Sequence, residues 1–335
     1  METRIVRLDN IETSATLIHE AAAMLREGSL VAFPTETVYG LGANALDANA
    51  VGRIFEAKGR PANNPIIVHI AEPESVRQVA VSWPENAEKL AHHFWPGPLT
   101  LVLLRSPALP PIVAAGGPTV AVRMPAHPVA LTLIHAAGVP IAAPSANRSG
   151  EVSATTAEHV LKSLGGRIDM ILDAGSTQVG LESTVLDLAQ TPPRLLRPGH
   201  VSRAEIEKLI GPIAWSEVHG SAPTAALPSP GLLAKHYAPR TFTECINPPG
   251  LEIIRQRSQH GSRVGWLAFG EPAERIPGVV TVIMPQHPHD YAARLYAELH
   301  RLDAMGLDRI IVDWPPDNDE WLAVRDRLRR ASAHD

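Results

Sequence analysis

Five cations, Lys58, Arg60, Arg123, Arg148 and Arg197, stand beside glycine, proline, serine or asparagine. Each falls where a strand or helix is expected to end. Singly, an exposed lysine or arginine is the ordinary case. Five at element ends, flanked by hydroxyl and amide donors, suggest a cleft for an anion, because such groups recognise phosphate and carboxylate through charge-assisted hydrogen bonds. The densest stretch is residues 30–70, LVAFPTETVYGLGANALDANAVGRIFEAKGRPANNPIIVHI. Its turn-rich loop, 34–44, holds two threonines, a glutamate and a tyrosine. Lys58, Arg60 and the imidazole of His69 follow.

Other chemistries find less support. Gly40-Leu41-Gly42-Ala43-Asn44-Ala45 fits GxGxxA, but the expected strand ends seven residues earlier and Arg60 stands where an acidic ribose partner belongs. A tight turn is the simpler reading. The P-loop sequence G-x-x-x-x-G-K-[ST] does not occur, so nucleotide binding would rest on dispersed cations. Ser145 lacks the G-x-S-x-G context and Cys245 has no signature, so neither reads as a nucleophile. Fifteen histidines include His92-His93 and His287-Pro288-His289, without H-E-x-x-H, and argue against a histidine metal site. His69 differs, since its strand face points away from the apolar set; it suits a structural hydrogen bond or a substrate contact equally.

The positioning elements follow from periodicity. Residues 30–33 read as a short buried strand, and Val51, Ile54 and Phe55 as one face of a helix. Gly59 suits a left-handed C-cap and Pro61 prevents resumption, which holds Lys58 and Arg60 at the helix end. Asn63, Asn64 and Pro65 turn into a strand at 66–70, where Ile66, Val68 and Ile70 share one face and His69 takes the other. Upstream, Thr13 or Ser14 caps a helix to about Glu27. Downstream, helices are expected at 73–80, 84–94, 127–137, near 155–164 and near 204–210. Strands are expected at 99–104, 119–124, 139–143, 170–173, 183–188 and 194–197. In 119–124, Thr119, Ala121 and Arg123 share a face. This irregular alternation indicates an α/β fold with a mixed, twisted sheet and flanking helices. The pattern breaks from 211 to 240, which reads as a linker or lid. Strands at 263–269, 279–284 and 309–313 then alternate with helices near 251–260, 290–305 and 320–331. They make a small Rossmann-like three-layer domain at 241–333.

Composition sets the outer bounds. The chain has 335 residues, 45% hydrophobic and 19% charged, with 31 prolines. That suits a loop-rich globular enzyme of about two domains. A net charge of −5 argues against strong non-specific nucleic-acid binding. One cysteine excludes an intramolecular disulfide framework and a four-cysteine zinc site, and fits a reducing, cytoplasmic setting. Neither a signal-peptide core nor an apolar run of about 18 residues is present, so no membrane span is expected.

FPTETVYGLGANA, KGRPANNPIIVHI, VAVRMP, APSAN, LESTVLDL and LLRPG occur in that order. Together they resemble the threonylcarbamoyl-AMP synthase family, the YrdC-like domain, over about 12–210. SPGLLAKHYAP and the terminal WLAVRDRLRRASA resemble its long form, with a lid-like linker and a C-terminal Rossmann-like domain. The resemblance implies condensation of L-threonine, bicarbonate or CO2, and ATP, with Mg2+, to threonylcarbamoyl-adenylate and pyrophosphate. Partner proteins would then modify tRNA. It implies that Thr37, His69, Arg123, Ser183 and the backbone at Ala143 hold L-threonine. Lys58, Arg60 and Arg197 would face the phosphates, and Asn64, Thr119, Ser145, Asn147 and Ser153 would surround the nucleotide. Tyr237 would close over the site. No metal ligand from protein side chains is implied. Two other readings remain: an RNA-binding module of the same fold, marked by salt-sensitive RNA affinity without ATP, and a carbamoyl-adenylate site serving another acceptor. The single cysteine removes the zinc-finger-like segments expected of the latter.

Overall fold

The computed structural model describes residues 2–10, 14–215, 227, 229, 231, 235–248 and 250–333, with the side chain of His260 excepted. Strand β1 (Arg4–Arg7) precedes helix α1 (Ala15–Arg26), whose N-cap Ser14 makes no side-chain cap bond. Strands β2 (Val31–Phe33) and β3 (Gly40–Asn44) pair antiparallel. Residues 40–44 are therefore a strand and not part of a loop, and the GxGxxA glycines lie in a sheet, away from any helix N-terminus. Helix α2 (Ala48–Lys58) begins on the Asp47 carboxylate, which accepts from Asn49 and Ala50 N–H. It ends on left-handed Gly59 (φ 60°), as its sequence asks.

Strand β4 (Ile67–His69) follows, then a 3-10 turn (Pro73–Ser75) running into α3 (Val76–Val79), which together match the helix expected at 73–80, and α4 (Glu85–Phe94). Next come β5 (Leu99–Leu104), β6 (Thr119–Arg123), α5 (Pro128–Ala137), β7 (Ile141–Ala142), α6 (Ala157–Leu164) and β8 (Met170–Asp173). Strands β9 (Thr184–Asp187) and β10 (Arg194–Arg197), helix α7 (Arg203–Ile210) and strand β11 (Ala214–Trp215) complete this part. The strands form one mixed sheet in the order β1-β8-β2-β3-β7-β4-β6-β5-β9-β10-β11. It takes in 4–7 and 214–215, so it reaches past the expected 12–210 bounds at both ends. Ile54, Leu90, Val160 and Ile206 pack α2, α4, α6 and α7 into one core, while α1 and α5 cover β1, β2 and β8.

The C-terminal part runs β12 (Phe242–Ile246), α8 (Leu251–Arg257), β13 (Val264–Phe269), β14 (Val279–Met284), α9 (Pro288–Asp303), β15 (Arg309–Asp313) and α10 (Leu322–Ala331). Its sheet is parallel throughout, ordered β12-β15-β13-β14. Leu295, Leu299 and Leu328 of α9 and α10 pack on one face and Ile254 of α8 on the other, giving three layers. Val38, Val152 and Leu181 from the first part join the α9–α10 core, so apolar burial fastens the two parts together. Among the described residues no helix is long and apolar enough to cross a membrane.

Candidate active site

The parallel register of β4 and β6 sets His69 beside Arg123 at the strands' C-terminal ends. Both side chains are buried. Arg123 Nε donates to Gly97 O at 3.2 Å and Nη1 donates to Thr37 Oγ1 at 2.9 Å. Its Nη2 lies 2.6 Å from Glu36 Oε1, and Glu36 Oε2 accepts from Ala126 N–H. The 34–39 loop thus comes to the sheet through one ion pair and one hydroxyl. Thr35 Oγ1 stiffens it by donating to Val38 O at 2.6 Å. Burial, then the neighbouring Arg123 charge, lowers the His69 pKa to about 3, so its ring is neutral at physiological pH.

Arg60 leaves the end of α2 with Nε donating to Asn64 O and Nη2 donating to Asn64 Oδ1 (2.7 Å) and Pro65 O (2.6 Å). These acceptors are neutral, and among the described residues no carboxylate pairs with it. Burial, with Arg197 adding repulsion against an opposing pull from Tyr237, lowers its pKa to about 9. An anion in the cleft would relieve that cost.

Arg197 ends β10 at a register shift in its pairing with β9. Its Nε donates to Ser183 O at 3.1 Å and Nη2 to Ser183 Oγ at 3.2 Å; that hydroxyl also bonds Thr100 Oγ1 at 2.7 Å. Gly199 permits the close approach of the 198–200 turn, since a Cβ there would lie 2.3 Å from Thr184 N. Glu182 accepts from Ser153 Oγ (2.5 Å), Tyr296 Oη (3.0 Å) and Arg327 Nε (2.8 Å). Burial pushes its carboxyl up, but Arg327, Arg197 and these donors outweigh it and hold it below the usual range.

Described residues of the 211–240 stretch border the cleft. Leu227 N–H donates to Asn63 O, His236 N–H to Arg330 O, and Ala238 N–H to Gly150 O. Tyr237, with φ 59°, stacks on Tyr296 at 5.9 Å between ring centres and lies under the Arg327 guanidinium. Burial and the charges of Arg60 and Lys58 keep the His236 ring neutral, well below its ordinary pKa.

Thr37, Arg60, His69, Arg123, Ala143, Ser145, Ser183, Arg197 and Tyr237 all line this one cleft. Five other expected residues do not. Lys58 is buried with Nζ donating to Ser145 O (2.6 Å) and Asn147 O, so it shapes the 145–147 turn. Asn64 fixes Arg60 from behind. Asn147 Nδ2 donates to Arg148 O and Glu151 O, and Ser153 serves Glu182. Thr119 begins β6, about 13 Å of strand from Arg123 at its end. Arg148, one of the five cations, is exposed and outside the cleft. The sequence reading missed Glu36, Glu182, His236, Tyr296 and Arg327. Glu36 and Glu182 sat inside quoted motifs, but a carboxylate's distant partner leaves no periodic trace. Burial raises the Cys245 thiol to about 11, which disfavours a nucleophilic thiolate. A larger cleft of about 770 Å³ between the two parts gathers His93, His200, His287 and His289. Among the described residues no three possible metal ligands come together.

Fold and site together define a two-domain α/β protein with buried arginines in a cleft that Gly231, His236 and Tyr237 border. Residues 23–199 match the Sua5, YciO and YrdC family, described as "Telomere recombination", and residues 201–333 match "Threonylcarbamoyl-AMP synthase, C-terminal domain". The chain belongs to the threonylcarbamoyl-AMP synthase family, in its long form. It is 46% identical over 326 residues to threonylcarbamoyl-AMP synthase of Pyrococcus abyssi, covering 95% of this chain and 94% of that one. The Bacillus subtilis protein of the same name is 46% identical over 331 residues, covering 97% and 95%. The crystal structure of P. abyssi Sua5 complexed with L-threonine superposes with a TM-score of 0.90 at 45% identity, covering 99% and 98%.

Proposed function

We propose that this protein is an L-threonylcarbamoyladenylate synthase, a nucleotidyltransferase acting on L-threonine, bicarbonate or CO2, and ATP. The observation that carries the reading is one lid-covered cleft with Arg123 and neutral His69 in one wall and Arg60 and Arg197 in another. It has cations for a carboxylate and a polyphosphate, and the condensation needs no protein nucleophile. The threonine amine attacks CO2, forming the carbamate N–C bond with loss of one proton. A carbamate oxygen then attacks the α-phosphorus of ATP, the bond to the bridging oxygen breaks, and pyrophosphate leaves.

The chain contributes position and charge. Arg123 pairs with the threonine carboxylate, while Thr37, Ser183 and the Ala143 backbone orient the substrate. The uncharged His69 ring can meet the substrate without adding charge. Arg60 and Arg197 face the phosphates, and the lid excludes water from a labile mixed anhydride. Mg2+ entering with ATP supplies further neutralisation of phosphate charge. Glu36 and Glu182 are each held by an arginine, so the cleft suits a Mg2+ carried by phosphate oxygens and water. The product would pass, in the cytoplasm, to partner proteins that modify tRNA.

The test is pyrophosphate release from ATP and bicarbonate with and without L-threonine, in the wild type, Arg60→Ala and Arg123→Ala. Threonine-dependent release, lost in both variants and not reproduced by other amino acids, is expected. Threonine-independent hydrolysis would reduce the site to a generic nucleotide cleft. No release from folded protein would favour the RNA-binding module.

A further inference from the structure

We propose that Arg327, on the last helix of the C-terminal domain, is a positioning residue of the active site that acts through Glu182 and Pro198 on the Ser183–Arg197 pair. The inference rests on the synthase reading and adds a role for the second domain. Arg327 is 0% exposed, and all three guanidinium nitrogens are engaged. Nε donates to Glu182 Oε2 at 2.8 Å, Nη1 to Asp326 Oδ2 at 2.7 Å and Nη2 to Pro198 O at 3.0 Å. Glu182 immediately precedes Ser183, and Pro198 immediately follows Arg197. One rigid fork therefore grips both chain segments whose neighbours form the Arg197–Ser183 contact.

The grip has further anchors. Asp326 Oδ1 is also held by Arg330, at 3.1 Å from Nε, which fixes Arg327 from its own helix. Tyr296 from α9 donates to Glu182, and His300 Nε2 lies 3.0 Å from the Ser153 carbonyl. The Arg327 guanidinium also sits 5.2 Å from the Tyr237 ring centre, within cation–π range, so lid and binding wall share one support. With three donors already bonded to it, Glu182 is a strut and not a proton acceptor. A lysine at 327 keeps the charge that Glu182 needs but cannot span Glu182, Asp326 and Pro198 together, because only the planar guanidinium presents a fixed fork. Small misplacements of binding groups cost rate steeply.

Two variants separate positioning from stability. Arg327→Lys should fold, with kcat for threonine-dependent pyrophosphate release lowered about tenfold or more and ATP binding by calorimetry weakened about tenfold. The double variant Glu182→Gln/Arg327→Met removes both charges of the Glu182–Arg327 pair and leaves Asp326 with its second partner Arg330, and removing both members of a buried pair commonly leaves stability intact. It should recover the wild-type melting temperature yet remain slow. Wild-type kinetics and ATP affinity in Arg327→Lys would overturn the proposal, as would a double variant restored in both stability and kcat. A wild type that binds ATP without threonine-dependent release would fail the synthase reading alone. The ATP-affinity comparison would still decide the role of Arg327.

Discussion

Glu36 Oε1 lies 2.6 Å from Arg123 Nη2, and both side chains are almost wholly withdrawn from water. The pair ties the 34–39 loop to the end of β6 and presents Arg123 already oriented. Removing either partner strands the other. Arg123→Ala leaves a buried, uncompensated carboxylate and should lower unfolding free energy by about 3–5 kcal/mol. Glu36→Gln keeps an acceptor for Ala126 N–H and should cost less. Urea unfolding of the two variants checks the order, and equal losses would mean that the ion pair does not set it.

Ser183 Oγ connects Thr100 to Arg197. Ser183→Ala removes a hydrogen bond to a charged group, a loss of about 1.5–3 kcal/mol. If Arg197 faces the phosphates, kcat/KM for ATP should fall roughly tenfold to a hundredfold. Steady-state kinetics at varied ATP reads this directly.

Gly231 packs closely against Tyr237 and Arg197. Its φ is +83°, and a Cβ there would lie 2.5 Å from the Tyr237 hydroxyl and 3.0 Å from Arg197 Nη1. Gly231→Ala should displace Tyr237 and lower kcat/KM by about tenfold while the melting temperature moves little. Adding Tyr237→Phe removes the atom in conflict and should restore part of the loss. No recovery would place the defect in backbone strain.

His69 has a folded pKa of about 3 against an ordinary 6.5. Between those values the unfolded chain binds a proton that the folded one refuses. Stability therefore falls as pH drops from about 6.5 towards 3, by at most about 1.4 kcal/mol per pH unit from this residue. His69→Gln should lose less stability than wild type between pH 7 and pH 5. A residual slope is expected from His159, whose pKa is also lowered to about 3 by burial and then by His300, stacked at 3.9 Å. Catalysis should show no titration step from His69 above about pH 4.

Local signals carried much of this in advance. Alternation placed His69 opposite the Ile66, Val68 and Ile70 face, and the Gly59 stop put Arg60 where a helix end meets the cleft. Long-range pairing was hidden. Strand β3 carries two glycines and no β-branched residue, so its state is decided by β2 and β7 on either side. The family resemblance implied a phosphate-facing Lys58, and its place at a helix end agreed with that. Here two carbonyls 87 and 89 residues away draw it inward. Glu182 passed unnoticed inside LESTVLDL because Arg327 lies 145 residues on.

That separation has a consequence for synthesis of the chain. At about 5–20 residues per second, Glu182 leaves the ribosome on the order of ten seconds before Arg327 is made. During that interval Glu182 has Ser153 and the charge of Arg197 near it but lacks Arg327, its direct ion-pair partner. Desolvating it then would be costly, so the 182–183 segment stays hydrated and loose until the last helix docks. Completion of the Ser183–Arg197 wall is therefore expected to wait for docking of the last helix, late in the making of the chain.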